Sequence, residues 1–223
     1  MENTANRAEL CGSFVTLPAL SHENHGHKFY HFYLEVERLS GVSDILRVIV
    51  PEKVLYQTEL DAGAMLYVRG QVRSFHEHTP LGRRLRIFVY GEYLECRDAE
   101  ALNDITLIGA LCKAPIYRKT PLGREICDLM LTVPRGYGRH DYLPVIAWGR
   151  TARMASELEA GDQLELYGRL QSREYRKTTA DGTQTHTAYE ISILSAQPLE
   201  DVSQIISENQ EFCGNFPLVS SSN

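Results

Sequence analysis

The sequence predicts an all-β chain made of two tandem copies of one small barrel. Two observations predict it. The first is a repeat: residues 158–172, LEAGDQLELYGRLQS, restate residues 60–74, LDAGAMLYVRGQVRS. The second is short runs of alternating apolar and polar residues, the mark of half-buried strands. The repeat decides how the 223 residues divide.

The repeat extends through the chain. Leu10-Cys11-Gly12 returns as Leu107-Ile108-Gly109, YLEVER (33–38) as MLTVPR (130–135), and DILRVIV (44–50) as DYLPVIA (141–147), each 97 positions on. The stretch at 158–172 lies 98 positions on, so one residue has been inserted, a loop-sized change. The copies are expected at 8–98 and 103–200, joined by RDAEAL and followed by a tail, 201–223. In the second copy the alternating runs are ITLIGALC, ICDLMLTV, YLPVIAW, DQLELYGRLQS and TAYEISIL. Between the third and fourth lies RTARMASELEAGD. Its Ala152, Met154, Ala155 and Leu158 favour a helix, and Gly161 ends it. PEKVLYQTELDAGA fills the same place in the first copy, with Pro51 at the helix start and Gly63 at its end. Three strands, one helix and two strands suit a five-stranded Greek-key barrel, the OB-fold.

Composition narrows the function. The chain is 43% hydrophobic and 23% charged, ordinary for a globular protein. No apolar run approaches the ~20 residues of a membrane span. The polar start MENTANRAEL lacks the apolar core of a signal peptide, so a cytoplasmic location is expected. Cys11, Cys96, Cys112, Cys127 and Cys213 are odd in number and widely spaced, which argues against a disulfide framework or a zinc site. Buried thiols are expected at Cys112 and Cys127. The net charge of −6 does not advertise nucleic acid. Residues 103–200 hold 12 Lys/Arg against 12 Asp/Glu, and residues 8–98 hold 10 against 12, so anion binding needs a local groove. His22, His25, His27 and His31 crowd SHENHGHKFYH, expected as a polar loop with only Glu23 beside them, and no metal site is expected there. TPLGR occurs at 79–83 and 120–124, out of step with the repeat, and reads as a hairpin tip in both places. There is no P-loop, GxGxxG, nucleophile elbow or carboxylate pair, so neither a cofactor nor an enzyme is expected.

YLPVIAWGRTAR, LEAGDQLELYGRLQSREYRK and TAYEISIL resemble, in order, the bacterial single-stranded-DNA-binding protein family. The resemblance covers about residues 105–196. The first copy matches more faintly, through Gly12, its VIV strand and AGAMLYVRGQVRS. The resemblance implies sequence-independent binding of single-stranded DNA and protection of unpaired DNA in replication, recombination and repair. Such a site needs exposed aromatics, because every base has a π-face, and cations between them for phosphates. The family's stacking positions fall on Tyr137, Tyr142, Trp148 and Tyr175. The intervening cations are Arg135, Arg139, Arg150, Arg169, Arg173, Arg176 and Lys177. Alternation places Tyr142 and Trp148 on one face, opposite Val145. Any one of these aromatics alone reads as ordinary sheet packing. Only the four together carry the binding reading.

The copies are not equivalent. The four stacking positions map in the first copy to Ser40, Ile45, Pro51 and Glu77. That copy is expected mainly to build the assembly, with Arg69, Arg73, Arg84 and Arg86 as candidate backbone contacts; a solvated edge strand explains the same arginines equally well. Most family members carry one barrel per chain and work as tetramers. A homodimer of this chain supplies the same four barrels and is expected. An alternative is a protein-interaction or primosome-type OB module with weak DNA binding. A metal-dependent nuclease at the histidines is disfavoured by the lack of acidic ligands. The family usually ends in an acidic tip where partners dock. This chain ends SENQEFCGNFPLVSSSN, which argues against docking by that route.

Overall fold

The computed structural model describes residues 5–60, 64–79, 82–179 and 182–199. The first half runs β1 (Asn6–Phe14), β2 (Ala19–Asn24), β3 (His27–Glu37), β4 (Ser43–Pro51), α1 (Glu52–Tyr56), β5 (Met65–Thr79) and β6 (Gly82–Arg97). The second runs β7 (Leu102–Leu111), β8 (Ile116–Lys119), β9 (Glu125–Arg135), β10 (Arg139–Trp148), α2 (Gly149–Ala155), β11 (Gln163–Thr179) and β12 (Gly182–Leu199). All strands join one sheet in the order β2-β3-β4-β6-β5-β1-β7-β11-β12-β10-β9-β8. The order is a palindrome about the β1–β7 pair. Extra pairings, β3 with β1 and β7 with β9, close each half on itself. In each half one parallel pair, β4–β6 or β10–β12, interrupts an otherwise antiparallel ladder. This is the tandem OB-fold that the repeat predicts.

Alternation builds each interior. In β4 Leu46, Val48 and Val50 point inward, and in β10 Leu143, Val145 and Ala147 do the same. Closure requires a residue with no side chain where β1 crosses β3 and β7 crosses β9. A Cβ on Gly12 would lie 2.3 Å from the Glu35 carbonyl oxygen, and one on Gly109 would lie 2.5 Å from that of Thr132. The glycine that opens each repeat is therefore a steric requirement of the barrel.

Several details differ from the sequence reading. Each half has six strands, because the short β2 and β8 add an edge hairpin. The histidines lie in that hairpin and not in a loop. His25 and Gly26 turn the chain with φ of 50° and 75°, and the His22 ring stacks on Phe29 at 4.7 Å. Both helices are shorter than predicted, since α1 buries only Val54 and Leu55 and α2 only Ala152 and Ala155. Gly161 ends no helix; at φ 101° it donates its N–H to the Leu111 carbonyl and feeds the chain into β11. Cys112 is exposed because it lies one residue past the end of β7, whereas Cys11 and Cys127 are buried. Among the described residues no helix is long and apolar enough to cross a membrane.

The halves are locked by a swapped pair of carboxylates. Asp44 accepts a hydrogen bond from the Ser172 N–H at 2.7 Å, and the Ser172 hydroxyl accepts one from the Ile45 N–H at 3.0 Å. The counterpart Asp141 accepts from the Ser74 N–H at 2.7 Å, and the Ser74 hydroxyl accepts from the Tyr142 N–H at 2.8 Å. Both carboxylates are fully buried. Arg38 forks onto Asp44 at 2.5 and 2.7 Å, while Arg73 and Arg135 approach Asp141 at 3.2 and 3.6 Å. Each half thus pins the β5–β6 or β11–β12 hairpin of the other.

Candidate nucleic-acid interface

The inward set of β10 leaves Tyr142 and Trp148 on the outer face, 43% and 38% exposed. The indole Nε1 donates to the Ser192 hydroxyl at 3.1 Å, which fixes the edge of the ring and leaves part of its surface in solvent. Tyr137 crowns the β9–β10 hairpin between Gly136 and Gly138 and is fully exposed. Its φ of 62° is the left-handed conformation that a side chain normally avoids. Three of the four predicted stacking residues therefore present rings to solvent from β10 and its hairpin. Tyr175 lies in β11 opposite His186, but its side chain and those of Arg176 and Lys177 are outside the described residues.

The cations divide. Arg139 and Arg150 are exposed at the two ends of β10. Arg173 is exposed, 4.0 Å from Glu190. Arg135 is half-buried, and burial followed by repulsion from Arg73 pulls its guanidinium below the usual arginine range. Arg169 opens on a different cleft of 600 Å³ shared with Arg38 and Asp104, where its Nε is buried without a hydrogen-bond partner.

In the first half Ile45 occupies the Tyr142 position and Pro51 the Trp148 position. Arg69 lies over the Tyr93 ring at 5.5 Å and Arg73 over Tyr90 at 5.8 Å. Arg86 donates to Glu77 at 2.7 Å. Phe75 is partly exposed with its ring 5.8 Å from Phe88. Ser74 accepts from the Tyr142 N–H and Arg73 pairs with Asp141, so this stretch of β5 borders β10 of the other half. Sequence reading passes over Tyr33, Arg47 and Tyr189, which meet in one cleft between the halves. The signal was a single cation at the centre of DILRVIV, in the place that Pro144 takes in DYLPVIA.

The opposite surface has its own order. Glu9 and Asp104 face each other across β1 and β7. Tyr67 donates to Glu9, and Tyr167 donates to Asp104 at 2.6 Å. The bond to Asp104 pushes the Tyr167 hydroxyl up to about 12. Burial opposes ionisation of Glu9, but bonds from Tyr67 and Arg7 hold its carboxyl below the ordinary range. Exposed Tyr93, Tyr167 and Leu194 complete this six-stranded face.

Comparison with known proteins bears on both halves. The single-strand binding protein family matches residues 102–199. The chain is 26% identical over 200 residues to the single-stranded DNA-binding protein of Thermus thermophilus, covering 76% of each. It is 32% identical over 83 residues to single-stranded DNA-binding protein 1 of Clostridium acetobutylicum, covering 34% of this chain and 76% of that protein. A crystal structure of a deletion mutant of the single-stranded DNA binding protein from Thermus aquaticus superposes with a TM-score of 0.71 at 25% identity, over 88% of this chain and 95% of that one.

Proposed function

Because this chain belongs to the single-strand binding protein family, a family of DNA-binding proteins and not of enzymes, we propose that it holds unpaired DNA mainly on the outer face of its second half. The observation that carries this reading is the alignment of Tyr142 and Trp148 on one strand face with Tyr137 at its tip, all exposed. Bases stack on these rings whatever their identity, at roughly 1–3 kcal/mol each. Arg139, Arg150 and Arg173 hold phosphates, so binding weakens as salt rises. Tyr175, Arg176 and Lys177 extend the track along β11. Arg73 and Phe75 flank it from the first half.

The role that follows is to protect and organise single-stranded DNA during replication, recombination and repair in the cytoplasm. A homodimer carries it out, with the six-stranded face of Tyr93, Tyr167 and Leu194 as the surface between copies. Sedimentation at micromolar protein tests this, and a monomer there counts against it. The tail, residues 201–223, whose sequence argues against partner docking by the family's usual route, lies outside the described residues.

The single tryptophan supplies the test of binding. Titration with oligo-dT of about 30 nucleotides, long enough to cover two or more OB sites, quenches Trp148 emission, and high salt reverses it. Absence of both quenching and a gel shift turns the reading toward an OB module for protein partners.

A further inference from the structure

We propose that the first half grips the phosphodiester backbone of the strand in a cationic cleft built by both halves and centred on Arg47. The proposal rests on the DNA-binding reading above and deepens it. Approximate two-fold symmetry identifies the ligand-facing positions. Arg47 lies two residues beyond Ile45, as Pro144 lies two beyond Tyr142, so its side chain leaves the outer face of β4. Tyr33 is its cross-strand neighbour on β3. β6 contributes Arg84 and Arg86, and β12 of the other half contributes Thr187 and Tyr189. Together they line a cleft of 240 Å³.

Three features point to an oxyanion. The Nε of Arg47 is buried without a hydrogen-bond partner. A buried donor left unmade is costly, so an acceptor belongs there. The lining gathers three guanidiniums, those of Arg47, Arg84 and Arg86, in one cleft, and Arg86 also donates to Glu77 at 2.7 Å. Tyr33 and Tyr189 are half-buried, so their rings are less open to stacking than those of Tyr142 and Trp148.

The symmetry-related position on the other side lacks this chemistry. Val48 lies beside Val89 and Val145 beside Ile191, so Arg84 and Arg86 correspond to His186 and Ala188, while Arg47 corresponds to Pro144. The first side carries arginines at these positions and lacks the stacking aromatics, and the second carries the aromatics and lacks these arginines. The first barrel thus offers backbone contact without stacking rings, while the second carries the rings together with its own phosphate-binding arginines.

The test titrates the full chain with oligo-dT of about 8 and about 30 nucleotides, lengths that reach one OB site and several, across a salt series. Arg47→Gln should weaken binding of the longer oligonucleotide several-fold and reduce the magnitude of its salt slope by about 0.7 for each phosphate no longer neutralised. Arg47→Lys should restore part of the slope, since it returns the charge without the fork. Unchanged affinity and slope in Arg47→Gln, with Trp148 still quenched, would overturn the proposal and leave the family reading intact. A wild-type chain that binds neither oligonucleotide would remove both. Inorganic phosphate and thymidine 5′-monophosphate distinguish a strand from a free anion. If either binds at millimolar concentration in an Arg47-dependent manner and displaces the longer strand, the cleft is a free-anion site and the strand assignment fails. Circular dichroism melts confirm folding, and Arg86→Gln reads the same slope should Arg47→Gln not fold.

Discussion

Tyr137 occupies a backbone conformation that suits glycine, at the most exposed point of the second half. Such strain persists where a side chain is needed for something other than stability. Tyr137→Gly should therefore leave stability unchanged or raise it by up to about 1 kcal/mol, while weakening oligo-dT binding. A denaturant melt and a titration on the same sample separate the two effects. Tyr142→Ala should cost about 1–3 kcal/mol of binding, with little change in stability, because its ring is half in solvent. This much was legible in the sequence: Tyr142 and Trp148 stand an even number of residues apart in an alternating strand. What parity did not reveal is that Trp148 is held by Ser192 from a parallel neighbour 44 residues away. Tyr167 gives a pH test at the same scale. Its folded-state hydroxyl is raised to about 12, so the protonated form stabilises the fold. That contribution is complete below its unfolded value near 10 and is lost as pH climbs toward 12. Stability should fall over that window, and Tyr167→Phe should flatten the fall.

At the scale of elements, the hairpins matter more than the barrels that carry them. The β9–β10 hairpin bears Tyr137 and Tyr142, yet its buried anchor, Asp141, is bonded to Ser74 and Arg73 of the other half. Asp141→Asn should destabilise the chain by about 1.5–3 kcal/mol, the range for a hydrogen bond to a charged group. It should also lower DNA affinity, because the hairpin and the adjoining Arg135 lose their fixed position. Normal affinity in a destabilised Asp141→Asn would show that the hairpin is placed by its own strands. Repetition made both aspartates visible, in DILRVIV and DYLPVIA, but not their purpose. The serines that meet them are 67 and 128 residues distant, and no local pattern pairs such residues. The short β2 and β8 escaped notice for a related reason. Their residues are mostly exposed, so they lack the apolar alternation by which a strand is recognised.

The whole molecule behaves as a dimer written on one chain. β1 and β7 pair antiparallel about the centre of the palindrome, each covering an edge that the other would otherwise expose. Unpaired edges recruit strands. A fragment beginning near residue 102 would keep the strands of the second barrel but present β7 bare. Its registration with β1, Asn6 opposite Leu107 through Cys11 opposite Leu102, is one that a second β7 can imitate, because the two strands are copies of one sequence pattern. The fragment should therefore self-associate through β7 into a two-fold dimer, whose Asp141 meets Ser172 of the other copy as Asp44 does in the intact chain. Such a dimer would carry two aromatic faces and no Arg47 cleft. Light scattering should find it at twice the fragment mass, and charge reversal on the β7 edge should dissociate it. Its oligo-dT binding should retain Trp148 quenching while losing the part of the salt dependence that the first half supplies. A monomeric fragment that binds as tightly as the intact chain would mean that joining the halves serves neither the fold nor the site.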